Sequence, residues 1–135
     1  MDRRDFIKAS CALCAMGAIV YSMESCSKDS TAPKNVNFSL DLTSSSNAAL
    51  NTVGGYIIQN SVIVIRLNST DYIALSAVCT HQGCTVSYDK TNTRLSCPCH
   101  GGTYNTNGAV TGGPPPSALA KYNVTKNGNT LTITS

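Results

Sequence analysis

Residues 79–104 read CTHQGCTVSYDKTNTRLSCPCHGGTY. This stretch holds four of the chain's seven cysteines and both of its histidines. They fall into two short boxes. Cys79-Thr80-His81 opens the first and Cys84 closes it; after fifteen residues beyond His81, Cys97-Pro98-Cys99-His100 forms the second. The residues between the boxes read as two short strands, 85–88 and 94–96, around the polar turn Asp89-Lys90-Thr91-Asn92. Each box therefore lies on a loop beside a strand. Six candidate donor groups are too many for one tetrahedral ion. They suit a metal cluster together with a crosslink.

Outward from this stretch the β pattern continues. Residues 62–67 (VIVIRL) are β-branched and nearly continuous, and 72–78 form a second run beyond the turn-like 68–71, so a hairpin is expected. Residues 121–125 and 130–134 flank Lys126-Asn127-Gly128-Asn129, where Asn-Gly is a strong hairpin signal. Gly54-Gly55 marks a further break. No helical period extends beyond a few residues, and no internal repeat is present. The expected fold class is all-β, a small antiparallel β-sandwich or barrel with the two boxes as its loops.

Composition sets the bounds. The chain has 135 residues, 41% apolar and 13% charged, with no Trp. That is one domain's worth, with a core small enough to profit from a covalent staple. The formal net charge of +3 comes without any Lys/Arg cluster interleaved with aromatics, which argues against nucleic acid as a partner. Nothing in the pattern marks a small-molecule substrate.

The chain begins MDRRDFIKASCALCAMGAIVYSMESCSKDS. A basic start, an apolar run over 9–21 and small residues describe an export signal. The run is short of the ~20 residues that a spanning helix needs. Arg3-Arg4 followed by Asp5-Phe6-Ile7-Lys8 resembles the twin-arginine signal that exports folded proteins. Met23-Glu24-Ser25-Cys26 resembles a lipobox, which makes Cys26 the expected site of cleavage, lipidation and membrane anchoring. A lone thiol in an oxidising compartment would otherwise be a liability. Cys11 and Cys14 form C-x-x-C inside the apolar run and read as small apolar residues removed with the signal. The plan is then a signal over 1–25, a polar tether over 26–35 and a folded domain over 36–135, facing the periplasm of a bacterial cell envelope.

Three chemistries compete for the boxes. Two disulfides would fit an exported protein but leave the placement of the histidines unexplained. Structural zinc would take two Cys and two His, although C-x-H and C-x-x-H are unusual spacings for it. A [2Fe–2S] cluster would give two Cys to one iron and two His to the other.

C-T-H-Q-G-C followed by C-P-C-H-G-G-T-Y resembles the Rieske iron–sulfur signature, over roughly residues 62–135. The resemblance implies one [2Fe–2S] cluster per chain, with Cys79 and Cys97 as thiolate ligands and His81 and His100 as imidazole ligands. It implies a disulfide between Cys84 and Cys99, a pair that cytosolic Rieske ferredoxins lack. It also makes Gly112-Gly113-Pro114-Pro115-Pro116 similar to the proline loop that covers the cluster. Two thiolates with two neutral imidazoles leave the oxidised site neutral, whereas four thiolates would leave it doubly negative. Accepting an electron is correspondingly easier, and the class spans ≈ −150 to +300 mV.

Neighbouring groups tune that range. Tyr104 matches the family's tyrosine donor to a cysteine ligand. Gly102 stands where members of high potential carry a Ser that donates to a bridging sulfide, and Gln82 replaces the usual Leu of the respiratory members. Both departures imply a lower potential than the respiratory type. The resemblance implies a one-electron carrier between redox protein partners, a cytochrome or an oxidoreductase subunit, with no catalysis by the chain alone. The alternative is the Rieske small subunit of an oxidoreductase, either a cytochrome bc complex or an arsenite-oxidase-like molybdenum enzyme. A Rieske oxygenase is disfavoured, because the sequence leaves no room for a mononuclear iron domain.

Overall fold

The structure is a computed structural model, and it describes residues 32–80, 83–99, 101–115 and 117–135. The expectations for the export signal, Cys11, Cys14 and Cys26, and those for His81, Gln82, His100 and Pro116, lie outside the described residues.

Among the described residues, ten strands form two antiparallel sheets. In chain order they are β1 (Asn37–Asp41), β2 (Tyr56–Gln59), β3 (Val62–Arg66), β4 (Tyr72–Ser76), β5 (Ser87–Asp89), β6 (Arg94–Ser96), β7 (Thr103–Tyr104), β8 (Val110–Gly112), β9 (Lys121–Asn127) and β10 (Thr130–Thr134). The larger sheet has the order β1-β10-β9-β4-β3-β2 and the smaller β5-β6-β7-β8. A 3₁₀ segment, Ser45–Asn51, links β1 to β2. The all-β antiparallel class expected from the sequence is the one observed.

The continuous apolar run of β3 has a simple cause. Side chains alternate across a strand, and both faces of this one are covered. Val62 and Val64 enter one core with Leu40, Leu50, Ala74, Leu131 and Ile133. Ile63 and Ile65 enter a second core with Leu75, Val86, Leu95, Tyr104 and Leu119. β4 is paired so that Ile63 faces Leu75 and Val64 faces Ala74, and it divides its side chains the same way. The second core also holds Cys79 and Cys97. The boxes thus rest directly on the face shared by the two sheets.

The β3–β4 hairpin turns where Asn68 Oδ1 accepts the backbone N–H groups of Thr70 and Asp71, each at 2.8 Å. The β9–β10 turn is tighter than the four residues expected. Asn127 pairs with Thr130, leaving Gly128 and Asn129 as a two-residue loop. Gly128 takes φ 59°, which suits the first central position of a hairpin turn matched to strand twist. At the other end, the Tyr122 hydroxyl donates to the Pro33 carbonyl at 2.7 Å, and the Ser135 N–H donates to the Val36 carbonyl at 2.9 Å. Pro33, within the expected tether, is thereby fastened to β9, and the residue after β10 to the first residue of the expected domain. No helix among the described residues is long and apolar enough to cross a membrane.

Candidate metal centre

Two loops of unlike sequence adopt one hydrogen-bond pattern. The first, Cys79-Thr80-His81-Gln82-Gly83-Cys84, is bracketed by the bridge Val78↔Thr85. The second, Cys97-Pro98-Cys99-His100-Gly101-Gly102, is bracketed by the β6–β7 pair Ser96↔Thr103. In the first, the Cys79 N–H donates to the Cys84 carbonyl at 2.7 Å and the Gly83 N–H to the Cys79 carbonyl at 2.9 Å. In the second, the Cys97 N–H donates to the Gly102 carbonyl at 2.7 Å and the Gly101 N–H to the Cys97 carbonyl at 3.0 Å. Gly83 and Gly101, four residues after their cysteines, have φ of 72° and 71°. Only glycine takes that conformation without penalty. C-x-x-x-G is therefore the local signal shared by both boxes, and it places Cys79 and Cys97 at equivalent points.

Both sulfurs are withdrawn from water: Cys79 is 1% exposed and Cys97 2%. Cys84 and Cys99 form the disulfide that the resemblance implied, with Cα atoms 6.5 Å apart, and it joins the two loops. The Cys97 Sγ lies within 4.8 Å of both disulfide sulfurs. That trio is not itself a metal site, since two of its sulfurs are spent on each other and a thiolate is what ligates metal.

Tyr104 is fully buried, and its hydroxyl lies 3.3 Å from Cys79 Sγ. Its oxygen accepts the Thr80 N–H at 3.2 Å. Thr80 Oγ1 lies 3.1 Å from the same hydroxyl and donates to the Ser117 carbonyl at 2.8 Å. Burial, and next the Cys79 sulfur, hold the Tyr104 hydroxyl above the ordinary tyrosine value, so it remains a protonated donor. The sequence reading placed Tyr104 correctly beside a cysteine and passed over Thr80. Thr80 ties the first loop to Tyr104 and to the segment after the prolines, a contact across 37 positions that no local pattern announces.

Gly102 faces the proline segment. A Cβ built on it would stand 2.5 Å from Pro115 Cγ and 2.8 Å from Pro115 Cδ, and Pro115 is buried. Gly113, with φ 82°, closes on the same residue from the other side: its Cβ would stand 2.7 Å from Gly102 Cα. The place where a serine hydroxyl would sit is occupied here by the closing loop.

The Rieske [2Fe–2S] domain model matches residues 39–123, well over half of the chain. This chain belongs to the Rieske [2Fe–2S] family. Its cofactor is accordingly a [2Fe–2S] cluster, and two buried sulfurs at matched loop positions, one facing a tyrosine hydroxyl, fit that group. The match begins before β2, so the resemblance extends further upstream than residue 62. The iron-sulfur subunit of the cytochrome b6-f complex from Prochlorococcus marinus (strain MIT 9301) is 43% identical over 63 residues, covering 47% of this chain and 35% of that protein. The plasma membrane Rieske protein PetC3 from Synechocystis PCC 6803 superposes with a TM-score of 0.56 at 27% identity, covering 71% of this chain and 99% of that one. A chain of a hyperthermophilic respiratory Complex III gives a TM-score of 0.54 at 26% identity, covering 96% and 99%. This Rieske chain spans little more than a third of the length of the curated relatives it matches.

The hydrogen bond from Tyr104 sets up a test of the site. Replacing Tyr104 by Phe removes a donor to the Cys79 sulfur, whose negative charge grows on reduction. The reduction potential is expected to fall. One hydrogen bond of about 1 kcal/mol corresponds to roughly 40 mV for a one-electron couple. Protein-film voltammetry on the two proteins measures it, and an unchanged potential with an intact cluster would show that the hydroxyl does not act on the sulfur.

Proposed function

We propose that this Rieske chain is a one-electron carrier of the bacterial cell envelope, with its cluster held by Cys79, Cys97, His81 and His100. When bound, the cluster supplies a one-electron redox couple. The chain's own residues do the rest. The buried Cys79 and Cys97 sulfurs would hold the group on its core side. Tyr104 donates to one of them, and the Cys84–Cys99 disulfide keeps the two loops at a fixed separation. The observation that carries this reading is the pair of equivalent loops with Cys79 and Cys97 at matched positions. The signal over 1–25, the tether over 26–35 and lipidation of Cys26 would hold the domain of 36–135 at the periplasmic face of a membrane. Its partners there would be redox proteins. A second reading, the Rieske subunit of a cytochrome b6-f or bc complex, is supported by the relatives and the Complex III chain described above.

The test is spectroscopic. Purified chain should contain iron and acid-labile sulfide in equal amounts and, once reduced, give the rhombic EPR signal of a mixed Cys/His cluster. Stoichiometric zinc in a colourless protein would end the proposal. Co-purification of the tagged chain with b-type haem from detergent-solubilised membranes would favour the complex subunit over the separate carrier.

A further inference from the structure

We infer that the outer edge of β2 is a pairing surface for a second copy of this chain, which joins it antiparallel about a two-fold axis at Ile57. The surface is independent of the ligand reading of the boxes.

β2 closes one side of the larger sheet and pairs only with β3. The register fixes which way its backbone groups point. Gln59 and Val62 flank a two-residue turn, so Gln59 and Ile57 spend their N–H and C=O groups on β3. The Arg66 N–H, which donates to the Gly55 carbonyl at 3.0 Å, continues the same phase. Tyr56 and Ile58 alternate with these residues and turn their backbone groups outward. Those groups have no partner among the described residues.

An open edge is ordinarily guarded by a charge, a proline or a bulge. β1 ends on the exposed Asp41, and β5 ends on Asp89. β8 has an irregular register with β7 and runs into Gly113-Pro114-Pro115. β2 reads Tyr-Ile-Ile-Gln and carries none of these guards. It is apolar as well. Ile58 is 42% exposed and Val53, in the turn before the strand, 41%.

The occupant follows from the register. An antiparallel partner must offer outward groups on alternate residues and bring no charge to the seam. A second β2 does both. With the axis at Ile57, Tyr56 of each copy faces Ile58 of the other, and each such pair exchanges two hydrogen bonds. Tyr56 and Ile58 lie two positions apart and share a face, so the exposed Ile58 is laid against the second copy's Tyr56. Residues 52–62 carry no charge. The Lys90 side chain lies against Gly54, at one end of the strand, and the antiparallel arrangement sends the two lysines to opposite ends of the seam. This is an isologous contact that closes on itself as a pair.

So short a seam falls below the ~1,200 Å² of a stable interface, and the pair is therefore looked for in concentrated solution. Sedimentation equilibrium of the purified full chain with its cluster, taken up to about 1 mM, is expected to show the mass rising from one chain towards a pair. Over the same range, hydrogen exchange read at single residues should slow at the Tyr56 and Ile58 amides and stay unchanged at Ile57 and Gln59, whose bonds are already made. Ile58→Lys should keep the visible spectrum of the cluster and lose the association. Val110→Lys, which removes an exposed hydrophobic side chain on β8, should keep it. A mass of one chain at every concentration overturns the proposal. So does a pair whose Tyr56 and Ile58 amides exchange as fast as in the single chain, because another surface then holds it, and so does an Ile58→Lys chain that associates as wild type does.

Discussion

The double variant Cys84→Ser/Cys99→Ser is expected to lose its cluster far faster than wild type while keeping the larger sheet. The disulfide closes a separation of 15 residues, for which the chain-entropy model gives about 3 kcal/mol. That is roughly a hundredfold in the equilibrium between closed and open loops. Among the described residues their other ties are short ones, such as those of Thr80 to Tyr104 and Ser117. The first loop is bracketed by a single bridge, Val78↔Thr85, and the second by a two-residue strand, β7. β1, β10, β9, β4, β3 and β2 pair without using either cysteine. Their far-UV circular dichroism should persist after visible absorption has bleached. Replacing both partners leaves no orphan thiol to re-pair with Cys97. Bleaching in a chelator is the measurement, and an unchanged rate would mean that core contacts beneath Cys79 and Cys97 suffice to hold the loops.

The parts of this fold that could be read from sequence are those where a strand is covered on both faces or a turn has demanding chemistry. β3 announced itself as VIVIR because each alternate side chain meets a different core. β6 was bounded correctly, and β9 and β10 were bracketed by Asn-Gly. β1, with only Phe38 and Leu40 inward of a polar pattern, and β8, largely exposed, carry too little apolar signal to name. The 3₁₀ segment SSNAALN is too short to show a helical period, although it buries Leu50 and Asn47. At the site, the two cysteine boxes stood out because each is local in sequence, and the place of Tyr104 came from the resemblance. Thr80 against Ser117 and Pro115 against Gly102 were not legible, since each depends on where a distant segment returns.

That last contact governs what happens when a hydroxyl is restored at position 102. A serine there would be expected, from the sequence alone, to donate to a sulfide and raise the potential. The structure adds a condition. The Cβ of any residue at 102 falls 2.5 Å from Pro115 Cγ, so the proline segment must move before the hydroxyl can act. Overpacking of this kind costs about 1–3 kcal/mol. Gly102→Ala and Gly102→Ser should therefore both lower the thermal midpoint and shorten cluster lifetime, because both displace Pro115. Only Ser carries a donor. A charge-assisted hydrogen bond is worth about 1.5–3 kcal/mol, and a one-electron couple shifts about 59 mV for each tenfold change in equilibrium. If only part of that bond distinguishes the reduced from the oxidised state, Ser should still lie several tens of millivolts above Ala. Ala, with the cluster more open to water and no donor gained, isolates the effect of moving the loop. Voltammetry on Gly102→Ala and Gly102→Ser, read as a difference, separates the hydroxyl from the displacement. Equal potentials in the two would place residue 102 out of reach of the sulfide, and its glycine would then serve loop closure alone.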